Sequence, residues 1–127
     1  MLVDTDVLIW VSRGNDQAID YLDNIKETFI SDVTYMELIQ GAFNKHEANS
    51  IDDTMKEMNV TRLPINQYIS EKATLLVRTY FHSHSMQLAD ALIGATALEY
   101  NLELLSCNAK HFTFIEGLTV HKFQLEN

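Results

Sequence analysis

Leu2-Val3-Asp4-Thr5-Asp6-Val7-Leu8-Ile9 opens the chain with apolar residues that run straight into an acid. An apolar run stopped by a turn-forming Asp reads as a buried strand ending at Asp4. The pattern repeats outward from it. After the breakers Gly14 and Asn15, Ala18, Ile19, Leu22 and Ile25 recur at helical spacing over 16–25. Thr28-Phe29-Ile30-Ser31 is a second β-prone run, and 32–43 returns to helical spacing with Glu37 in its early turns. A further helix over 46–58 carries Ile51, Met55 and Met58 on one stripe and acids on the other. Asn59-Val60-Thr61-Arg62-Leu63 is a third strand, closed by Pro64, whose ring keeps the preceding residue out of the helical region.

The spacing then predicts a long helix over 66–81 and a second over 86–100. The latter is apolar on nearly every side and so belongs to the middle of the molecule. Glu103-Leu104-Leu105-Ser106 is a fourth strand, 109–112 a turn of helix, and Leu118-Thr119-Val120-His121 a fifth strand. Strands alternating with helices predict an α/β fold, with a central parallel sheet of four to five strands flanked by helices on both faces. With 127 residues and no linker, repeat or low-complexity tract, residues 1–127 read as a single domain.

The one cysteine, Cys107, permits no intrachain disulfide. Neither a basic leader nor a long apolar stretch is present, so the expectation is a soluble cytoplasmic protein with no membrane partner. The formal charge is -9, from 9 Lys and Arg against 18 Asp and Glu. That balance opposes nucleic-acid binding by phosphate neutralisation unless a local positive rim exists. A nuclease therefore requires Arg13, Lys45, Arg78, Lys110 and some of the histidines near its cleft.

The acids are placed with more order than their number suggests. Asp4 and Asn108 would both fall at carboxyl ends of strands, where open parallel sheets bind ligands. Asp90 is the only charge in its apolar run, and no Lys or Arg lies one helical turn away. A carboxylate buried there needs a cation, donors or a proton. Glu37 has a plainer reading, because Thr34-Tyr35-Met36-Glu37 has the form of a capping box whose Glu would bond backbone. Asp6 reads equally as a helix cap or as an acceptor supporting its neighbours. Acids sharing one cleft repel each other, and a hard divalent ion such as Mg²⁺ or Mn²⁺ is the natural relief for oxygen donors.

Four segments together resemble the PIN-domain ribonucleases, and within them the VapC-type toxins of bacterial toxin–antitoxin pairs: 2–9, quoted above; Ile30-Ser31-Asp32-Val33-Thr34-Tyr35-Met36-Glu37-Leu38; Leu88-Ala89-Asp90-Ala91-Leu92-Ile93-Gly94-Ala95-Thr96-Ala97; and Leu104-Leu105-Ser106-Cys107-Asn108-Ala109-Lys110-His111-Phe112. The resemblance spans essentially the whole chain in order. It implies a PIN-like three-layer fold in which Asp4, Glu37 and Asp90 surround one or two Mg²⁺ or Mn²⁺ ions. Asn108 stands where an Asp is frequent, and Thr5 and Ser106 match hydroxyls that support the site. The implied activity is endonucleolytic hydrolysis of RNA. The implied partners are an RNA substrate, a cognate antitoxin with a basic tail and a second copy of the chain in a homodimer.

Two other classes compete. The same fold could be a binding module without catalysis, its acidic pocket receiving a partner's Arg or Lys after the change of Asp to Asn at 108. A phosphoacceptor receiver domain expects an adjacent acidic pair after the first strand and an Asp ending the third. Here Asp4 and Asp6 are split, and the third strand ends in Arg62-Leu63-Pro64.

Overall fold

The sheet is built from β1 (Leu2–Val3), β2 (Phe29–Ser31), β3 (Thr61–Leu63), β4 (Leu104–Ser106) and β5 (Val120–Lys122). In the computed structural model, which describes residues 1–126, these strands lie in the order β3-β2-β1-β4-β5 and every pairing is parallel. Six helices connect them: α1 (Thr5–Ser12), α2 (Asp16–Asp23), α3 (Asp32–Gln40), α4 (Lys45–Glu57), α5 (Gln67–His84) and α6 (Leu88–Glu99).

Alternation along the short strands sorts the core into two layers. Leu2 and Leu104 face α5 and α6, packing with Ile69, Ala73, Leu76, Ile93 and Phe112. Val3, Ile30 and Leu105 point the other way, onto Val7, Leu8 and Val11 of α1, Ala18 and Leu22 of α2 and Met55 of α4. A sheet covered on both faces is the three-layer architecture the sequence predicted. Gly94 sets how closely α6 can lie, since a Cβ there would stand 3.0 Å from Ile115 Cδ1.

The structure departs from the sequence reading at the first helix. No helical span was assigned between Asp4 and Asn15, although Asp6 was one candidate cap, yet Thr5–Ser12 is helical, capped by the Asp4 side chain accepting from Thr5 N–H. Val7, Ile9 and Val11 are β-branched and disguise it. The helix nevertheless forms because it buries Val7, Leu8 and Val11 against the sheet. Farther on, α5 runs to His84 rather than stopping at 81, ended by Ser85 in the left-handed region at φ 53°. α6 begins at Leu88, two residues later than its periodicity suggested.

This topology fixes where a site can be. From β1 the strand order grows one way to β2 and β3, and beyond β1 on the other side it continues with β4 and β5. The order switches between β1 and β4, and a crevice opens at the carboxyl ends of that pair. Asp4 and Ser106 are the first residues past the Val3–Leu105 register pair, and the Asp4 N–H donates to the Leu105 carbonyl at 2.9 Å.

Candidate active site

Three arms of side chains meet at this crevice. The first is a clasp between α1 and the turn after β4. Asp4, 7% exposed, accepts from the Thr5 N–H at 2.8 Å and from the Ser106 hydroxyl at 2.8 Å. Asp6 accepts from the Cys107 N–H at 3.1 Å and from the Asn108 side-chain amide at 3.0 Å. The Ser106 oxygen in turn accepts from the Asn108 N–H at 3.0 Å. Asp6 is thus neither a cap nor a bystander: it ties the β4 turn to α1.

The second arm is Glu37. The Thr5 hydroxyl donates to its Oε1 at 2.7 Å and lies 3.0 Å from the hydroxyl of Thr34, which is fully buried. The capping-box reading fails here. Ser31 caps α3 instead, accepting from the Val33 N–H, which frees the Glu37 carboxylate to reach across to α1.

The third arm is Asp90, in the first turn of α6. The sequence showed no partner for it, but Nδ1 of His111, in the short 3₁₀ turn Ala109–His111, lies 3.3 Å from its Oδ2. Its side chain is 24% exposed, so it sits at the wall of the crevice rather than in the core. Thr34 and the pairing of His111 with Asp90 are the two features sequence reasoning missed. Thr34 left a trace only as the first residue of the capping-box pattern; the pairing left none, because 21 residues separate its members.

The PIN-domain sequence profile matches residues 1–115, a span that holds all three arms. The chain belongs to the PIN-domain family. Ribonuclease VapC10 of Mycobacterium tuberculosis is 34% identical over 122 residues, covering 93% of this chain and 90% of that protein. A toxin–antitoxin complex from Klebsiella pneumoniae contains a chain that is 31% identical, with a TM-score of 0.77 over 96% of this chain and 98% of that one. VapBC-1 from nontypeable Haemophilus influenzae shares the fold at 24% identity, with a TM-score of 0.76 over 95% and 96% of the two chains.

In this PIN domain the arms feel one another electrostatically. Burial, then the negative charge of Asp6, pushes the Asp4 carboxyl up to about 7, with Asp90 adding a smaller push. Asp90 is also raised, first by burial; His111 offsets part of this, while Glu37 and Asp6 oppose ionisation further. The Cys107 thiol is driven up to about 12 by burial and by Asp6, which leaves no thiolate for a cysteine mechanism at neutral pH. Each carboxylate has turned onto a nearby donor. Among the described residues, no three His, Cys, Asp or Glu side chains stand close enough together to form a ready-made ligand cage.

The positive rim is only partly where the charge argument needed it. Lys110 and His111 lie two and three residues after Asn108, in the 3₁₀ turn. Arg13 shares with Glu37 a groove of about 490 Å³ between α1, α3 and α4. Arg78 lies on the exposed side of α5, and Lys45 begins α4 with no ion pair among the described residues. No helix among them is long and apolar enough to cross a membrane.

Proposed function

We propose that this PIN domain is an endoribonuclease, the toxin of a toxin–antitoxin pair, hydrolysing RNA phosphodiester bonds at the crevice of Asp4, Glu37 and Asp90. The observation that carries this reading is the burial of Asp4 and Asp90, with like charges nearby, at the switch point of a sheet, in a chain 34% identical to a ribonuclease over nearly its whole length. A carboxyl held near 7 by burial and by Asp6 is one that a cation would ionise, and all the side chains involved offer hard oxygen donors. Mg²⁺ or Mn²⁺ therefore fits the donor set.

Asp4 and Asp90 are the principal ligands in this reading. Glu37 acts through water, as ligand or as the base that orients the attacking molecule. Asn108 spends its amide nitrogen on Asp6, so its amide oxygen is the atom left for an auxiliary contact. Thr5, Asp6 and Ser106 hold the others in place. A divalent ion bound here would lower the pKa of a water toward neutrality and offset charge on the phosphate. The chain's own contribution is to fix Asp4 at a buried strand end and Glu37 and Asp90 on α3 and α6, so that water attack at phosphorus and departure of the ester oxygen occur in one geometry.

The partner in this reading is an antitoxin with a basic tail. Its apolar part would fill the groove lined by Ile9, Leu38 and Ile51, and its cations would reach Glu37 at the groove's margin. Phe43, 87% exposed beside Glu47 of that groove, is a natural anchor. A homodimer would use the outer face of α5, where Tyr68 and Leu75, two turns apart, are 62% and 64% exposed.

RNA cleavage with and without EDTA, paired with a calorimetric Mn²⁺ titration, tests the activity. Wild type should cleave only with the divalent ion, while Asp4→Asn and Asp90→Asn should neither cleave nor take up the ion. The binding-module alternative, favoured by Asn108, predicts no cleavage at all but retained capture of a basic peptide.

A further inference from the structure

The charge of this molecule is unevenly spread. Acids are 18 of 127 residues, yet none lies between Glu71 and Asp90, and none between Glu103 and Glu116. These two acid-free stretches are the last turns of α5 with the α5–α6 corner, and β4 with the turn that follows it. They are remote in sequence but packed together. His84 stacks on Phe114 with ring centroids 4.1 Å apart, Tyr80 lies against the same ring at 4.9 Å, and the Glu116 N–H donates to the Tyr80 hydroxyl. At the other end, His111 meets Asp90. His111 and Phe114 are three residues apart, so these contacts tie the α5–α6 corner to the turn after β4 beside the acidic crevice.

The exposed residues of this joined region are of two chemical kinds. Lys110, His84, His111 and Gln87 offer N–H donors, and Leu88, 74% exposed at the start of α6, offers apolar area. Lys110 makes no ion pair among the described residues; by contrast, Lys72, in the same acid-free stretch as His84, is held by Glu99. A polyanion approaching a chain of charge -9 is repelled almost everywhere. A neighbouring face built from two acid-free stretches, with Asp90 and Glu116 only at its ends, and carrying an unpaired ammonium, imidazoles and stacking area, is where single-stranded RNA loses least and gains most.

We propose that the surface formed by His84, Gln87, Leu88, Lys110 and His111 is the track along which single-stranded RNA enters the crevice, with phosphates on Lys110 and the imidazoles and a base against Leu88 and the His84 ring. The proposal rests on the ribonuclease reading and adds the path of the substrate.

The test uses the full chain and a fluorescent single-stranded RNA oligonucleotide of mixed sequence, with Mn²⁺ present. Lys110→Glu and His84→Glu are compared with Lys56→Glu, a charge reversal on exposed α4. The track predicts that KM rises about tenfold in the first two while kcat falls far less. It also predicts that the slope of log(kcat/KM) against log salt becomes shallower by about 0.7 for each phosphate no longer neutralised. Mn²⁺ affinity by calorimetry should stay at the wild-type value, and Lys56→Glu should leave every parameter unchanged. If Lys110→Glu matches Lys56→Glu while wild type cleaves, the track is wrong and the ribonuclease reading stands. A wild type that cleaves no RNA overturns both. Sedimentation adds a further arm: variants that turn a dimer into monomer with KM unchanged would give this face to a second copy and overturn the track.

Discussion

Asp4 and Asp90 are the same residue type at the same crevice, and the molecule handles them in opposite ways. Asp4 ends a strand, is nearly inaccessible, and has only neutral donors, from Thr5 and Ser106, to set against burial and Asp6. Asp90 opens a helix at the crevice wall, and an imidazole faces it. The clasp around Asp4 therefore stores electrostatic cost inside the fold, whereas His111 offsets part of the cost at Asp90. The two neutral donors of Asp4 lower its carboxyl only partly against burial and Asp6, whereas Asp90 faces a group that can carry positive charge.

Asp4→Asn should break that comparison most strongly. The ordinary carboxyl value of 3.8 against about 7 in the fold corresponds to roughly 4 kcal/mol, at about 1.36 kcal/mol per pH unit. The unfolded chain releases this proton near 3.8 and the folded chain holds it to about 7, so wild-type stability falls as pH rises through that window. Urea denaturation at a series of pH values should find the variant as much as about 4 kcal/mol more stable above about pH 7, with the difference gone below about pH 4. RNA cleavage should drop by about a thousandfold or more in the same variant. Asp90→Asn should lose activity comparably but gain less stability at neutral pH, because His111 already offsets part of its charge. Equal gains in the two variants would erase the distinction drawn between the arms.

Asn108→Asp sharpens the contrast from the other side. It would replace the 3.0 Å bond to Asp6 with a second carboxylate against the first. Chemical denaturation at neutral pH should show a loss of about 1–3 kcal/mol, recovered in acid, while Mn²⁺ affinity rises. The smallest effect is expected for Thr5→Val, which removes the hydroxyl bonded to Glu37: about 1 kcal/mol of stability and about tenfold in cleavage, with the Asp4 titration followed by NMR left in place.

Much of this was legible beforehand, for identifiable reasons. All five strands and the long helices announce themselves because apolar periodicity is a local signal, carried by residues such as Ile69, Ala73 and Leu76 that face the core in the structure as they do on a helical wheel. α1 was illegible because β-branched Val7, Ile9 and Val11 argue against a helix that only burial on the sheet makes favourable. Glu37 was ambiguous between cap and site, since the four residues of a capping box look the same whichever hydroxyl caps the helix. The structure decided for Ser31.

What the chain determined by itself was its alternation of elements, and with it a parallel sheet whose strand ends carry acids. Only the tertiary structure decided which donors those acids meet: Ser106 for Asp4, Thr5 for Glu37, His111 for Asp90 and Asn108 for Asp6. Secondary structure follows from neighbours within a turn or two. Hydrogen bonds and fields across a crevice instead join residues as much as 102 positions apart in the chain, and no local pattern of residues encodes a distance that the folding of the whole sheet creates.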